Sequence, residues 1–436
     1  MQDRVYRRVI RAWTMYDWAN SAFATTIMAA VLPAFYSSVA GATLSPVQAS
    51  SYWGYTNTIA MLLVAVSAPV LGAIGDHSGA RKRLLGGFAG LGIAFTALMV
   101  LVSSGDWLLA SALYILGHIG FSGANIFYDS LLPHITRPED IDWVSTRGYA
   151  IGYLGGGLLL ALNLVMIQPG LVGLASLPGI PNAEWGARLS FLTVAIWWAV
   201  FSLPLFRQVP EPPAMVASDE SRSAIRASFQ RLGHTLRDIR RYRELFKFLI
   251  AFWLYNDGIG TIIIMAVIFG TEIGLKQADL IGAILMVQFV GIPFSIAFGW
   301  LARRLGTKRS ILLALGVYAL ISVGGYFMHT ALHFWALALL VSTVQGGSQG
   351  LSRSLYGAMC PKSKTSEFFG FYDVSSKFAG ILGPAMFGIV GILTGSSRLS
   401  IVSLVIFFVV GGLLLSRVNE QQGMRVAGEE DAALAH

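Results

Sequence analysis

The stretch "GDHSGARKR" at residues 75–83 ends one long apolar run, and "ARRLGTKRS" at residues 302–310 ends another with a similar pattern. A second match follows in the same order, because "NIFYDSLLP" (125–133) aligns with "RSLYGAMCP" (353–361). Similar stretches in the same order at a nearly constant offset indicate an internal repeat. The sequence therefore predicts two structural repeats that share one orientation.

Composition assigns the chain to the membrane proteins. Of its 436 residues, 55% are hydrophobic and only 12% are charged, and the mean hydropathy is +0.64. A soluble domain carries about a quarter charged residues, so this composition indicates a membrane protein.

Two further features limit the possible processing of the chain. The single cysteine excludes an internal disulfide framework. The N-terminus is basic but lacks a small-residue cleavage site, so we expect the first apolar run to be retained.

Apolar runs long enough to cross a bilayer recur along the whole chain. A membrane-spanning helix needs about 20 apolar residues. Such runs lie at 13–37, 53–75, 84–104, 107–132, 147–168, 187–206, 246–270, 278–301, 310–329, 332–357, 367–393 and 398–416. The predicted fold class is an all-α integral membrane protein with twelve transmembrane helices in two parallel six-helix repeats.

Basic residues orient these spans. Arg and Lys are concentrated before the first span and in the loops after the second, sixth, eighth and tenth spans. Basic loops face the cytoplasm, so we expect both termini to be cytoplasmic. The net charge of +8 matches an anionic lipid leaflet and does not indicate a nucleic-acid partner.

The spans and loops together predict the domain organisation. The predicted domains are an N-terminal half (1–206), a central loop with an amphipathic helix (207–245), a C-terminal half (246–418) and a tail (419–436).

Several motifs resemble one known family. "GAIGDHSGARKR" is similar to the signature loop of the major facilitator superfamily. "YDWANSAFATTI", "FYDSLLPHI", "RGYAIGYLGGG" and "YNDGIGTIIIMAVIFG" resemble its vacuolar amino-acid effluxer-like branch, as a bacterial-type member. The resemblance implies alternating access in a bacterial inner membrane, with the first, fourth, seventh and tenth helices lining the path. Two departures are His77 in the signature loop and the lack of an Arg in the cytoplasmic half of the fourth span.

Polar and charged side chains inside the apolar runs are the candidate path residues. Such groups are costly in lipid and usually face a cavity or a partner. Asp257 is the deepest acid and is either a substrate or proton site or a satisfied interhelix hydrogen-bond partner. The candidates for the substrate or proton path are Asp17, Asn20, Asn125, Asp129, Asp257, Gln345, Gln349 and Arg353.

A second group of charged residues is predicted to gate the path. Asp17 and Asp129 are expected to pair with Arg147 or Arg353 in a cytoplasmic gate. Asp373 and Lys377 are spaced to neutralise each other on one helix face. The resemblance implies that the signature loop is a latch of the state closed to the cytoplasm. The candidates for the gate or latch are Asp76, Arg81, Lys82, Arg147, Asp373 and Lys377.

Enzymatic function is not indicated. "GGSQG" (346–350) matches a nucleophile motif by letter but lies within a predicted span, where its strand-to-helix turn cannot form. No P-loop, metal-ligand spacing or cofactor motif occurs. We therefore predict a secondary transporter without metal or cofactor, acting on a small molecule such as an amino acid, with protons as a candidate coupling ion. The alternative is a lipid or lysolipid translocator on the same fold.

Overall fold

The computed structural model describes residues 2–212, 241–272, 277–378, 380 and 382–433. Within these ranges it describes the backbone alone at some helical positions, among them Lys377. The predicted amphipathic helix of the central loop lies almost entirely outside the described residues.

The first six predicted spans are helical. The first span runs from α1 (Gln2–Ala22) through π-helical turns at Phe23–Ala30, α2 (Val31–Phe35) and further π-helical turns at Tyr36–Ala40. The next five spans are α3 (Pro46–Ser78), α4 (Arg81–Leu98), α5 (Trp107–Ile135), α6 (Ile141–Ile167) and α7 (Ala183–Gln208).

The second six predicted spans are helical too. They are α8 (Arg243–Glu272), α9 (Gln277–Leu305), α10 (Thr307–Gly324), α11 (Ala331–Met359), α12 (Thr365–Phe378) with α13 (Leu382–Thr394), and α14 (Ser397–Ser403) with α15 (Val405–Ser416). A further helix, α16 (Glu420–Ala433), follows the last span.

Nine segments of the described chain are long and apolar enough to cross a membrane. They are Asp3–Ala40, Ser51–Asp76, Arg81–Leu101, Trp107–Ile135, Pro138–Ile167, Ala183–Gln208, Gly282–Leu305, Thr307–Phe327 and Ser397–Ser416. The other three predicted spans correspond to α8, α11 and the pair α12–α13. Polar residues interrupt α8 and α11, for example Asn256 and Gln349. The predicted span 367–393 contains the two helices α12 and α13 with a turn at Gly380 between them, and we call this turn the break.

The chain forms two compact units that do not follow the two sequence halves. The first unit comprises residues 1–67, 80–128 and 151–211. The second comprises residues 68–79, 129–150 and 212–436. The second unit thus includes the ends of α3, α5 and α6 that precede or follow the predicted cytoplasmic loops. The division into halves stays a prediction.

Glycines of "GYAIGYLGGG" bring α6 close to α1 in the first unit. A Cβ at Gly155 would lie 2.6 Å from the backbone oxygen of Trp18, and one at Gly152 would lie 2.6 Å from Ser21 Oγ. Thr25 Oγ1 donates a hydrogen bond to Gly156 O at 3.3 Å. Small residues permit such contacts between membrane helices, so a larger side chain here would push α1 and α6 apart.

Aromatic side chains fill the core of the second unit. Phe252 stacks on Tyr372 at 4.3 Å between ring centroids, and Tyr372 stacks on Tyr356 at 5.1 Å. The hydroxyl of Tyr356 donates a hydrogen bond to Phe368 O at 2.8 Å. These contacts join α8, α11 and α12, so the residues on the inner faces of those helices are held in fixed positions.

Candidate functional site

Arg353 is the centre of a charged cluster in the second unit. Its Nη1 atom lies 3.0 Å from Asp129 Oδ1, and the two side chains are 3% and 19% exposed. Its Nε atom donates to Ser145 Oγ at 2.9 Å, and its Nη2 atom donates to Ser145 O at 2.9 Å. The guanidinium also lies 4.5 Å from the centre of the Tyr149 ring. We call Asp129, Ser145, Tyr149 and Arg353 the Arg353 cluster.

The Arg353 cluster joins spans from both sequence halves. Asp129 lies on α5, Ser145 and Tyr149 lie on α6, and Arg353 lies on α11. A buried guanidinium needs a counter-charge and hydrogen-bond acceptors, and breaking such a pair is strongly destabilising. The pair therefore stabilises the arrangement in which the ends of α5, α6 and α11 are in contact. Of the two arginines predicted to pair with Asp129, Arg353 is in contact with it, while Arg147 lies partly buried on α6.

A second polar group lies next to the Arg353 cluster. Asp142, at the start of α6, accepts hydrogen bonds from Thr307 Oγ1 at 2.6 Å and from Ser354 Oγ. Asp140 pairs with Arg303 at 3.1 Å. These contacts connect the start of α6 with α9, α10 and α11, so the predicted cytoplasmic ends of four helices form one polar network.

Asp76 caps the N-terminus of α12. Its Oδ1 and Oδ2 atoms accept hydrogen bonds from the backbone N–H groups of Ser366 at 3.0 Å and Glu367 at 2.8 Å. A carboxylate is favourable at a helix N-terminus, where backbone N–H groups lack partners. The contact is close, because a Cβ at Gly72 would overlap the backbone oxygen of Ser366. Asp76 therefore holds α3 against α12 at the predicted cytoplasmic side.

Lys82 makes its contacts within its own sequence half. Its Nζ atom donates to Phe206 O at 3.1 Å and to Val209 O at 2.6 Å, and its backbone N–H donates to Glu211. A cation is favourable at a helix C-terminus, here that of α7. These contacts lie within the first six spans, and the role of Lys82 in the latch stays a prediction. Arg81 is buried at the start of α4.

Asp257 lies at the break between α12 and α13. Its two carboxylate oxygens accept hydrogen bonds from Leu382 N at 3.0 Å and from Gly383 N at 3.1 Å. Thr261 Oγ1 donates to the Asp257 backbone oxygen at 2.7 Å. Asp257 is fully buried. Because its carboxylate accepts both N–H groups, it acts as the N-terminal cap of α13. Of the two roles predicted for Asp257, these contacts correspond to the hydrogen-bonded one.

Two amide pairs connect helices within the separate units. In the first unit, Asn20 Nδ2 on α1 donates to Asn125 Oδ1 on α5 at 2.6 Å. In the second unit, Gln349 Nε2 on α11 donates to Asn256 Oδ1 on α8 at 2.7 Å. Each pair thus links the first and fourth helices of its sequence half. Amide side chains retain further donors and acceptors after such a bond.

The remaining predicted site residues lie on three helices. Asp17 is nearly buried on α1, and Gln345 is partly buried on α11. Asp373 is partly buried on α12, but the side chain of Lys377 lies outside the described residues, so their pairing stays a prediction. In the part of the chain that the structure describes, no group of three or more His, Cys, Asp or Glu side chains is arranged to hold a metal ion.

Sequence reasoning did not identify Ser145, Tyr149 or Asp142 as partners of the gate. A serine or tyrosine in a membrane span is common, and its partner is set by contacts between helices. Asp142 carried a usable signal, because "PEDIDW" (138–143) places three acids just before an apolar run. Ionised carboxylates only accept hydrogen bonds, so acids at the start of a span would have indicated cationic or hydroxyl partners.

Comparison with known proteins identifies relatives over nearly the whole chain. The sequence profile of the family described as "Vacuole effluxer Atg22 like" matches residues 38–428. The uncharacterized MFS-type transporter YxiO of Bacillus subtilis is 39% identical over 96% of this chain and 97% of its own length. Autophagy-related protein 22 of Pyricularia oryzae is 23% identical over 89% of this chain and 68% of its own length.

Solved structures with the same fold are major facilitator transporters. The proton:xylose symporter XylE aligns with a TM-score of 0.75 over 99% of this chain and 100% of its own, at 15% identity. The transporter FucP, in its outward conformation, aligns with a TM-score of 0.67 over 95% of this chain and 98% of its own, at 13% identity. At identities this low, the alignments establish the fold alone. They confirm the predicted twelve-helix major facilitator fold. With the profile match and the relative at 39% identity, the chain belongs to the Atg22-like family of the major facilitator superfamily, a family of integral membrane transporters and not of enzymes.

Proposed function

We propose that the chain is a secondary transporter of amino acids or similar small zwitterions, working by alternating access in a bacterial inner membrane with both termini cytoplasmic. The observation that carries this proposal is the Arg353–Asp129 pair. It is buried, it joins the fourth and tenth spans, and its separation would accompany opening of the predicted cytoplasmic side. The orientation rests on the basic loops.

The mixed polar inventory supports a zwitterionic substrate. Such a ligand needs an acceptor for its ammonium group and donors for its carboxylate. Asp17 and the Asn20–Asn125 pair in the first unit supply acceptors and amide donors. The Asn256–Gln349 pair, Gln345 and Arg353 supply further polar groups in the second. We propose that the path includes these residues, and that Asp257 instead stabilises the break between α12 and α13.

The names of the relatives support transport but do not identify a common substrate. "Vacuole effluxer" and "MFS-type transporter" name a process, and the proton:xylose symporter shares only the fold. Fold analogy does not determine a substrate. Protons are the proposed coupling ion, because the chain carries no nucleotide-binding motif and buried acids occur in its spans.

Uptake into proteoliposomes tests the proposal. A panel of labelled amino acids would be offered to the wild type with and without an imposed pH gradient, and then to Arg353→Gln. We expect accumulation of at least one amino acid, a higher level with the gradient, and loss of accumulation in the variant.

Two outcomes would overturn parts of the proposal. Movement of a labelled lysolipid in the absence of amino-acid uptake would replace the substrate class with the lipid alternative. Uptake that does not respond to the pH gradient would remove protons as the coupling ion and leave the substrate proposal in place.

A further inference from the structure

The last helix, α16, presents two adjacent acids to the loop between α11 and α12. Asp431 Oδ2 accepts a hydrogen bond from Lys362 N at 3.0 Å, and Asp431 Oδ1 accepts one from Ser363 N at 3.3 Å. Glu430 Oε1 lies 3.0 Å from Lys364 Nζ. The three residues 362–364 form one 3₁₀ turn, so a single loop is held by both acids.

Glu430 also connects this loop to the start of α8. Its Oε2 atom lies 2.6 Å from Arg241 Nη2, and Lys364 Nζ donates to the Tyr242 hydroxyl at 2.9 Å. Burial alone would raise the pKa of Glu430, but the hydrogen bond and charge of Lys364, with the charge of Arg241, lower it below its usual value. Glu430 and Lys364 are therefore both charged at neutral pH, and their contact is an ion pair.

The other end of α16 is fixed to α8. Glu244 accepts a hydrogen bond from Asn419 N at 2.7 Å through Oε2, and its Oε1 atom pairs with Lys247 at 2.7 Å. Between the two ends, α16 lies against the end of α11, because a Cβ at Gly423 would lie 2.7 Å from the sulfur of Met359. The helix thus spans from the start of α8 to the loop after α11.

The loop that α16 holds continues directly into the N-terminus that Asp76 caps. Thr365 Oγ1 is 3.0 Å from His134 Nε2, and Ser366 Oγ is 3.1 Å from Ser130 Oγ. α16 therefore holds residues 362–364. Residues 365–367 are held by Asp76, Ser130 and His134 from the first six spans.

We infer that α16 is a conformational strap, which fixes the 362–364 loop where the N-terminus of α12 meets Asp76 and thereby stabilises the closed latch. When the strap contacts are absent, the loop gains freedom and the capped arrangement of α12 loses part of its support. The strap should shift the balance between latched and unlatched states without contacting substrate. The inference does not depend on the substrate proposed above.

Hydrogen exchange on the full chain in lipid nanodiscs, without substrate, tests the strap. The backbone amides of Ser366 and Glu367 donate to Asp76, so their exchange reports the latch and not the strap itself. In the double variant Glu430→Gln/Asp431→Asn, we expect these amides to exchange about fivefold faster, the change that about 1 kcal/mol of lost support produces. The matched control is Glu429→Gln, since Glu429 is 63% exposed and pairs only with Arg425 on the same helix among the described contacts.

The single cysteine supplies a second readout. Cys360 is buried beside the strapped loop, so its alkylation by a maleimide reports local opening without any engineered cysteine. Faster alkylation together with faster exchange of Ser366 and Glu367 supports the strap. Faster alkylation with unchanged exchange there would mean that α16 only covers the loop, and the inference would be wrong. If the double variant does not fold, each single variant is measured in the same way. Because no transport is measured, failure here is separate from failure of the proposed function.

Discussion

Asp129 and Asp257 are both acids within apolar spans, but different groups stabilise their carboxylates. Asp129 is paired with Arg353, a residue more than 200 positions away on a helix of the other sequence half. Asp257 accepts two backbone N–H groups at the start of α13. The partner of Asp129 is a side chain that can move away with its helix, whereas the partners of Asp257 are part of a helix terminus.

This difference separates a reversible contact from a permanent one. An ion pair between two helices is lost when those helices separate, so it can hold one state of a transporter and be absent in another. A helix cap is needed in every state in which the helix itself persists. We therefore expect substitutions at the Arg353 cluster to change transport most, and substitutions at Asp257 to change stability without altering the balance of states.

The largest effect is expected for Arg353→Ala. It leaves Asp129 without its buried cation, and breaking a buried pair by removing one partner costs about 3–5 kcal/mol. The midpoint temperature of thermal unfolding of the purified protein and the uptake into proteoliposomes should both fall. The matched control is Arg7→Ala, because the Arg7–Asp3 pair has the same separation of 3.0 Å but side chains that are 72% and 58% exposed. Equal losses in the two variants would show that burial does not distinguish the pairs.

The next effect is expected for Asp257→Ala. It leaves the N–H groups of Leu382 and Gly383 without acceptors, so the free energy of unfolding should fall by about 2–4 kcal/mol at about 1–2 kcal/mol for each donor. Asp257→Asn keeps one acceptor oxygen and should lose about half as much. The measurement is thermal unfolding, combined with alkylation of Cys360 to follow the balance of states. A full loss of uptake in Asp257→Asn at unchanged stability would restore Asp257 to the substrate or proton path.

Hydropathy predicted the spans but not the contacts that distinguish these two acids. The apolar runs and the repeat are local patterns, and they gave the twelve helices and the depth of Asp257. The break before Leu382 is not visible in hydropathy, since residues 378–384 are apolar or glycine apart from Pro384. Pro384 lies in the first turn of α13, where its missing N–H costs least, and this explains why the break precedes the proline.

The sequence limits the possible partners of Arg353 to a few acids but does not select one of them. The sequence contains Asp129 and Asp17 as candidates and Arg147 as a rival cation, and the choice depends on how α5, α6 and α11 pack. That packing also determines the second compact unit, which combines the ends of three early helices with the later half of the chain. Such long-range contacts have no period or spacing in the sequence.

A smaller effect is expected where α3 meets α12. Gly72→Ala adds a methyl group that overlaps the backbone oxygen of Ser366, and overpacking of this kind costs about 1–3 kcal/mol. The substitution should raise exchange at Ser366 and Glu367, because it pushes the capped terminus away from Asp76. Gly54→Ala on the same helix is the control, since nothing lies within 4 Å of its added Cβ and alanine favours helix. Identical exchange in both variants would mean that α3 and α12 do not need this close contact.

The smallest effect is a pH dependence at the end of α16. The pKa of Glu430 is lowered from 4.5 although burial opposes this, because Lys364 and Arg241 face its carboxylate, with the Tyr242 hydroxyl nearby. A group whose pKa is lowered by folding stabilises the protein above its unfolded pKa and loses that contribution as the pH falls through its folded pKa. The stabilisation should thus be complete at neutral pH and decline below about pH 4.5.

Hydrogen exchange of the Lys362, Ser363 and Ser366 amides measures this effect. At low pH, after correction for intrinsic rates, these amides should be less protected in the wild type than they are at pH 7. In Glu430→Gln the remaining decline should be smaller, and an equal decline in both proteins would show that Glu430 does not cause the pH effect.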